Sequence, residues 1–249
     1  MKVKKYISGF IEDLSGLFFP RICFACGEVL LNHEEVICGL CLYQLPRTNF
    51  HRTPDNSVSR LFWGRVNVYR ATAFFIFSKG SKFQRLMHLL KYQGKKEIGY
   101  FMGRVFGADL KDSADYSNID VVIPVPLHSG KQKKRGYNQS EIIAEGIAFS
   151  LQVPVNTESL FRKINNETQT SKTKFERWTN VREIFALRNE VQLENKHILL
   201  IDDVVTTGST LESCVETLMK IKVSTHDSSV ETLMKIRNIT ISVAALAAA

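Results

Sequence analysis

Hydrophobic positions along the chain fall into two kinds of pattern. Asp120–Val125 and His197–Ile201 are short apolar runs, which are typical of parallel strands buried on both faces. Leu211, Val215 and Leu218 recur at helical spacing after the second run. The same patterns predict a strand in Val66–Phe77, helices from Phe83 to Leu90, from Ile98 to Leu110 and from a cap at Asn138 or Ser140 to Leu151, and a last strand through Ile239, Ile241 and Val243. Strands that alternate with helices predict an α/β fold with a mostly parallel sheet and helices on both faces.

The organisation of the chain favours one ordinary domain with a smaller module before it. With 249 residues, 44% of them hydrophobic, the chain has enough apolar side chains for a sizeable core. We place the module at residues 1–56 and the domain at 57–249, with the polar stretch His51–Ser59 as a linker. The polar residues Asn165–Asn180 predict a mobile loop, and a repeat of VETLMKI, at Val215–Ile221 and Val230–Ile236, predicts a peripheral insertion.

Four of the five cysteines lie close together near the start of the chain. They form two C-x-x-C pairs, an arrangement in which two tight turns each offer two thiolates to one tetrahedral ion. Zinc is preferred over iron, because four thiolates without a redox partner suit a closed structural site; two redox dithiols or four unmetalled core cysteines are the alternatives. The predicted ligands are Cys23, Cys26, Cys38 and Cys41. His33 receives no ligand role because the shell is already full, and Cys214 is interpreted as a buried core thiol.

Charge and hydropathy narrow the environment of the protein. The formal net charge of +8 favours anionic partners such as nucleotides, pyrophosphate or nucleic acid. No stretch approaches the roughly 20 apolar residues that a membrane-spanning helix needs. Clustered cysteines of the metal-binding kind do not resemble a secreted disulfide framework. We therefore expect a protein of the cytoplasm with no membrane span.

The most informative stretch follows the apolar run at His197. Asp202 and Asp203 stand at the carboxyl end of that strand, where open α/β sheets bind ligands. The turn Thr206-Thr207-Gly208-Ser209-Thr210 then leads into a helix, whose first N–H groups can bind a phosphate. Two carboxylates suit the hydroxyls of a sugar, directly or through Mg²⁺, better than a bare anion. The combination indicates a ribose 5-phosphate; a strand end with a capped helix and no ligand is the alternative.

This stretch resembles the fingerprint of the type I phosphoribosyltransferases: an apolar strand, two acids, two further residues and a Thr-Thr-Gly-x-Thr turn. The resemblance implies the fold of that class. It also implies that Asp202 and Asp203 contact the ribose hydroxyls of phosphoribosyl pyrophosphate, and that Thr206, Thr207, Gly208, Ser209 and Thr210 bind its 5-phosphate. The chain has no Gly-Lys-Ser/Thr and therefore differs from a Walker A loop.

Further motifs narrow the resemblance to the ComF family, competence-associated proteins of phosphoribosyltransferase type. They are the four-cysteine module, Lys91-Tyr-Gln-Gly94, Ile123-Pro-Val-Pro-Leu-His128, Arg135-Gly-Tyr-Asn-Gln-Ser140, Gln169-Thr170 and Arg177-x-x-Asn180-Val181. The resemblance covers nearly the whole chain. Ser209 stands where alanine is common, Tyr137 where phenylalanine is common, and the duplicated segment puts the last helix and strand boundaries in doubt.

Transfer from phosphoribosyl pyrophosphate requires positive charge around the departing pyrophosphate, usually with Mg²⁺. A basic loop that contains Lys131, Lys133, Lys134 and Arg135 is predicted after the earlier strand. Pro126, Leu127 and His128 open this loop and are placed to bind the pyrophosphate. Arg135 is the predicted catalytic cation, together with the two aspartates, and Lys131 adds charge; a solvated basic turn is the alternative. A lid is a further hypothesis, on the basic side chains Arg162, Lys172, Lys174 and Arg177.

Two functions therefore remain open. The first is Mg²⁺-dependent phosphoribosyl transfer to an acceptor, or binding and hydrolysis of the same donor, linked to DNA uptake and competence proteins. The second is a non-catalytic module that binds single-stranded DNA during natural transformation and reuses the phosphoribosyltransferase fold. Aromatic residues near basic ones are the candidates for base stacking in the second function, although packing is the simpler role of each: Tyr92, Tyr137 and Trp178.

Overall fold

The computed structural model describes residues 20–163, 184–188, 190–220 and 239–249. The strands in these ranges are β1 Arg70–Ile76, β2 Val121–Pro124, β3 Leu160–Arg162, β4 Phe185–Leu187, β5 His197–Val205 and β6 Thr240–Ala248. The α-helices are α1 Gly39–Tyr43, α2 Lys82–Tyr92, α3 Lys96–Lys111, α4 Ser129–Arg135, α5 Gln139–Leu151 and α6 Ser209–Met219. Short 3₁₀ turns occupy Phe50–Arg52, Ser59–Phe62 and Glu190–Leu193.

The main sheet has the strand order β1-β6-β5-β2, and all three pairings are parallel. The strand nearest the carboxyl end of the chain, β6, therefore lies inside the sheet, between β1 and β5. Every residue from Ile241 to Ala247 is buried, because helices or loops cover both faces of this strand. The arrangement confirms the predicted α/β fold with a parallel sheet, and it makes the last strand a central one.

A second, smaller sheet pairs β3 with β4 in the antiparallel direction. The predicted mobile loop at residues 165–180 falls between these two strands and lies outside the described residues. The second copy of VETLMKI also lies outside them, whereas the first copy begins within α6. Their predicted roles stay predictions.

Helices α3 and α5 pack closely because glycine occupies the points of contact. A Cβ atom on Gly146 of α5 would lie 2.2 Å from the carbonyl oxygen of Tyr100, and a Cβ on Gly103 of α3 would lie 2.4 Å from that of Ile143. Both neighbours are backbone atoms of the opposing helix, which cannot move independently. This contact fixes α5 and, with it, the residues at the start of that helix.

The cysteine-containing segment packs against the domain that follows it. Leu30, Ile37 and Leu45 are buried in the same hydrophobic cluster as Phe74 of β1 and Leu86 of α2. Such a small segment has little core of its own, and much of its apolar burial is shared with the domain. The division of the chain at residue 56 stays a prediction.

The stretch His51–Ser59, interpreted as a linker from its polar composition, is packed in part against the domain. His51 is 4% exposed and Asn56 is 5% exposed. The Asn56 amide donates to the carbonyl oxygens of Thr53 and Ala71, and its side-chain oxygen accepts from the backbone N–H of Ser59. Polar side chains here form hydrogen bonds with backbone groups beside β1, and composition alone did not indicate this packing.

The basic segment after β2 was predicted to be a loop, but its residues form the short helix α4. The imidazole Nδ1 of His128 accepts from the backbone N–H of Gly130 at 3.1 Å and caps this helix. Gly136 ends it with a φ of +79°, in the left-handed region.

Among the described residues, no helix is both long and apolar enough to cross a membrane.

Candidate functional site

The four clustered cysteines converge as their spacing predicted. The Sγ atoms of Cys23, Cys26, Cys38 and Cys41 all lie within 4.8 Å of one another. The Sγ atoms of Cys26 and Cys38 are 3.8 Å apart, and a tetrahedral site with Zn–S bonds of about 2.3 Å requires an edge of about 3.8 Å. The four cysteines are positioned to hold a metal ion.

The backbone around the cluster supports the same interpretation. Gly27, directly after Cys26, has a φ of +86° and closes the first turn by donating its N–H to the carbonyl oxygen of Cys23 at 2.8 Å. The N–H of Cys38 donates to Sγ of Cys23, and the N–H of Cys41 donates to Sγ of Cys38. Such hydrogen bonds stabilise negative charge on sulfur, as metal thiolates require. The donor set therefore fits a structural zinc ion.

The two aspartates lie at the carboxyl edge of the parallel sheet. Asp202 and Asp203 lie in the last half of β5, beyond the point where Pro124 of β2 pairs with Ile201. The chain leaving β2 stays beside β5, since the N–H of Val125 donates to the carbonyl oxygen of Ile201 at 2.8 Å. The segment from Pro126 to His128 therefore starts at the same edge of the sheet as the acid pair.

The carboxylate of Asp202 is held from two directions. Its Oδ1 accepts from the hydroxyl of Ser140 at 3.2 Å and from the backbone N–H of Asp203 at 2.8 Å. Asn138 caps α5 by accepting from the N–H of Ser140, which leaves the Ser140 hydroxyl to contact the aspartate. Burial, followed by the charge of Asp203, raises the pKa of Asp202 to about 7.

The carboxylate of Asp203 forms an ion pair with Lys91 at the end of α2. The Lys91 Nζ and the Asp203 Oδ2 are 2.9 Å apart, and the two side chains are only 22% and 17% exposed. Among the described residues, Asp202 Oδ2 and Asp203 Oδ1 have no hydrogen-bond partner. One oxygen of each acid thus remains available to a ligand.

The threonine-rich turn follows the acids and lines a small cavity. This cavity of about 40 Å³ is bounded by Asp202 and by the residues from Val204 to Leu211. Gly208 has a φ of +74°, and a Cβ there would lie 3.3 Å from the ring of Phe62, so the position favours glycine on two grounds. The side chains Thr206, Thr207, Ser209 and Thr210 are exposed.

Arg65 holds this turn from outside the site. Its guanidinium donates to the carbonyl oxygen of Thr207 at 3.2 Å and to that of Leu61 at 3.0 Å. It also forms an ion pair with Glu212 in the first turns of α6. Arg65 therefore ties the turn, the helix that follows it and the segment before β1 together.

Arg135, the predicted catalytic cation, lies beside the end of α2. Its guanidinium donates to Oε1 of Gln139 at 2.7 Å and stands 5.4 Å from the ring centroid of Tyr92. Tyr92 is 61% exposed and follows Lys91 directly in the sequence. The lysines of α4 are exposed, as is His128. The hydrogen bond from Gly130 gives the His128 ring a structural role in addition to its predicted ligand role.

The sequence analysis did not predict the role of three residues that hold the site together: Lys91, Ser140 and Arg65. Lys91 and Ser140 stood within motifs that carried the family resemblance, but no pattern indicated that they contact the acids. Arg65 had no signal, because its partners are a backbone carbonyl and a carboxylate far away in sequence. Of the predicted lid, the described part contains only Arg162, which lies over the ring of Phe185; the rest is outside the described residues. Cys214 is fully buried, as its interpretation as a core thiol required.

Comparison with known proteins gives the same picture. The family described as phosphoribosyl transferase domain matches residues 133–238. The DNA utilization protein YhgH of Escherichia coli O157:H7 is 25% identical over 202 residues, which cover 80% of this chain and 78% of that protein. Competence protein F of Haemophilus influenzae is 27% identical over 210 residues, which cover 82% and 81%. A solved purine phosphoribosyltransferase from Pyrococcus horikoshii is 18% identical, with a TM-score of 0.35 over 60% of this chain and 73% of that one.

The parallel sheet, with an acid pair and a threonine-rich turn at its carboxyl edge, is similar to the phosphoribosyltransferase class, whose domain family matches residues 133–238. The homologues and the four-cysteine cluster together confirm the more particular resemblance, which is to the ComF proteins.

Proposed function

We propose that this protein binds phosphoribosyl pyrophosphate with Mg²⁺ and transfers its phosphoribosyl group to a nucleophilic acceptor. The observation that carries the proposal is that Asp202, the first acid of the pair, lines the cavity of the threonine-rich turn. A carboxylate accepts hydrogen bonds from sugar hydroxyls, and the exposed hydroxyls and N–H groups of the turn donate to a phosphate. A sugar phosphate presents both groups at once.

In this proposal each predicted residue has one task. Asp202 and Asp203 accept from the ribose hydroxyls through their free oxygens. The residues Thr206, Thr207, Gly208, Ser209 and Thr210 bind the 5-phosphate. Pro126, Leu127 and His128 pass beside the pyrophosphate, and Arg135 stabilises its developing charge as the bond to the C1 carbon breaks.

Mg²⁺ prefers oxygen ligands and usually keeps several waters. The free carboxylate oxygens of Asp202 and Asp203 suit such an ion, which would also bind oxygens of the donor. When bound, the ion neutralises charge on the leaving pyrophosphate. The chain's own contribution is to orient the sugar, through acids that Ser140 and Lys91 already hold in place.

The cysteine cluster has a separate, structural task in the proposal. Four thiolates complete the shell of a zinc ion and leave no position for substrate. The ion organises a segment whose apolar residues pack on the domain. We also propose a location in the cytoplasm, where free thiols remain reduced.

The test is a comparison of three proteins: the natural chain, Asp203→Asn and Asp55→Asn. Asp55 is a matched control, since it forms an ion pair with Arg60 at an exposed position outside the site. Titration calorimetry with phosphoribosyl pyrophosphate, with and without Mg²⁺, should show Mg²⁺-promoted binding by the natural chain and by Asp55→Asn. Asp203→Asn should lose it. Equal binding by all three proteins, or none by the natural chain, contradicts the proposal.

A second function is favoured by the exposed aromatic and basic side chains beside the site. The Tyr92 ring is 61% exposed, and both the guanidinium of Arg135 and the imidazole of His88, whose centroid is 5.0 Å away, lie beside it. Such a surface can stack a nucleobase. With the names of the relatives, it supports a role in DNA uptake in which this face binds single-stranded DNA.

Salt dependence tests this second function. Affinity for a fluorescent single-stranded oligonucleotide should fall steeply as salt rises, in proportion to the phosphates that basic residues neutralise. Tyr92→Ala should weaken it, whereas Tyr43→Ala, on a still more exposed tyrosine of the cysteine segment, should not. A flat salt response rejects direct binding of the strand.

A further inference from the structure

Lys91 forms an ion pair with Asp203, but the proposed donor-binding mechanism gives its positive charge no effect on the donor. Among the described residues, it is the only cation within 4.0 Å of either aspartate. Its side chain is 22% exposed, so the ion pair with Asp203 is partly shielded from water. A shielded ion pair is stronger than the exposed pairs found elsewhere on this surface.

The position of Lys91 is fixed by the elements around it. The hydroxyl of Tyr137 donates to the carbonyl oxygen of Leu90, which joins the last turn of α2 to the segment before α5. The same segment carries Ser140, which holds Asp202. One structural unit, made from the end of α2 and the start of α5, therefore positions both aspartates.

The ammonium group of Lys91 has unused hydrogen-bonding capacity. A lysine ammonium has three N–H donors, and its only hydrogen-bond or ion-pair partner in the described part of the chain is Asp203. Two of its donors therefore have no partner among the described residues. If the proposed function holds, the donor places its ribose hydroxyls at the acids and brings its phosphate groups close to this lysine.

We propose that Lys91 is a positioning residue that supplies the acid pair with an internal positive charge. It holds the Asp203 carboxylate in position for the ribose hydroxyls. It also neutralises part of the negative charge of the acid pair, which without the lysine only Mg²⁺ would neutralise. This inference rests on the proposed function. It predicts that the natural chain keeps measurable affinity for phosphoribosyl pyrophosphate without Mg²⁺, and that this metal-free affinity depends on Lys91.

The test is titration calorimetry with phosphoribosyl pyrophosphate on the full chain, over a series of Mg²⁺ concentrations. The variants are Lys91→Met, Lys91→Arg and Lys95→Met. Lys95 is the matched control, because it lies four residues further along the chain and is 44% exposed, and the contacts of its ammonium group within the described residues are with Glu97 and the ring of Phe24. Thermal melting of each variant shows whether it is folded.

Lys91→Met should weaken metal-free binding by about tenfold or more, as expected when a charge-assisted contact is removed. At saturating Mg²⁺ the loss should shrink, because the ion then neutralises the negative charge of the two carboxylates in place of the lysine. Lys91→Arg should restore most of the metal-free affinity, and Lys95→Met should behave as the natural chain does.

The outcomes separate the two proposals. If the natural chain binds the donor and Lys91→Met binds it with the same affinity and the same Mg²⁺ requirement, this inference is wrong and the proposed function stands. If Lys91→Met loses equal affinity with and without Mg²⁺, the lysine is a simple ligand and the positioning role is wrong. Failure of the natural chain to bind the donor overturns the proposed function itself.

Discussion

The cysteine cluster and the acid pair are two chemically active regions that the chain assembles in different ways. Cys26 and Cys38 are 12 positions apart, and all four thiols come from one short segment. Ser140 and Asp202 are 62 positions apart, and Lys91 reaches the acids from a third element. The first region depends on local turns, and the second depends on the packing of the domain. Different perturbations should therefore damage them.

Removal of zinc should have the largest effect. Cys26→Ser, or chelation of the metal, should lower the free energy of unfolding by roughly 3–5 kcal/mol and Tm by about 10 °C, because the cysteine segment has little core of its own. Metal analysis of purified protein should give one zinc per chain. Cys214→Ala is the control, since this buried thiol lies outside the cluster and its loss should leave the zinc content unchanged. A metal-free protein with an unchanged melting curve would contradict a structural role.

This difference in assembly also explains what the sequence could predict. The C-x-x-C pairs specify a site by spacing alone, and the run from His197 to Thr210 carries its strand, acids and turn in order. Those features were predicted because each is local. Lys91 and Ser140 reach the acids only through the packing of α2 and α5, so no local pattern identified them.

The fold shows the same limit. The strands of the main sheet and most helices were predicted because periodicity reports burial, and Asn138 caps α5 as expected, but the antiparallel pair β3–β4 was not predicted. The central place of β6 was not predicted, because strand order depends on connections that no local pattern contains. Polar residues at His51–Ser59 indicated a linker, although they satisfy buried backbone groups. The short helix α4 was interpreted as a loop because it has no apolar stripe.

Gly146→Ala should damage the acid site and spare the cysteine cluster. The added Cβ would lie 2.2 Å from a backbone oxygen of α3, so the helices must separate. We expect a loss of about 3 kcal/mol, weaker donor binding and a full zinc content. Gly99→Ala is the control, because its Cβ would meet only side-chain atoms of Leu90 and Ile142 at 3.0–3.1 Å. Equal losses in the two variants, measured by urea unfolding, would show that close helix approach is not the cause.

Asp202→Asn should remove a pH dependence of stability that is opposite in sign to that of the cysteine cluster, whose metal-bound thiolates lose stability as pH falls. Burial and Asp203 raise the pKa of Asp202 to about 7, so between about pH 4 and 7 the folded state binds more protons than the unfolded state. The free energy of unfolding therefore falls as pH rises through this window. Asparagine removes the effect and should stabilise the protein at pH 8 by on the order of 1–2 kcal/mol, with little change near pH 4.

Asp115→Asn is the control for the sign of this effect. The guanidinium of Arg70 lowers the pKa of Asp115, so its charged form is stabilised in the folded state. Its replacement should therefore reduce stability at pH 8, and the difference should disappear as pH falls through the range where Asp115 is protonated. Urea unfolding of both variants across this range is the measurement. Two changes of the same sign would contradict the assigned environments.

The smallest expected effect concerns the turn side of the acid site, which Arg65 holds through exposed contacts. Arg65→Met should lower stability by less than about 1 kcal/mol, because the Arg65 side chain of its ion pair with Glu212 is 40% exposed and screened by solvent. Its contact with the Thr207 carbonyl nevertheless orders the predicted phosphate turn, so donor affinity should fall about threefold. Arg60→Met is the control: Arg60 forms a similar exposed pair, with Asp55, but does not touch the turn. If calorimetry finds the same donor affinity in both variants, the turn keeps its shape without Arg65, and the acid site is less dependent on distant contacts than the comparison with the cysteine cluster implies.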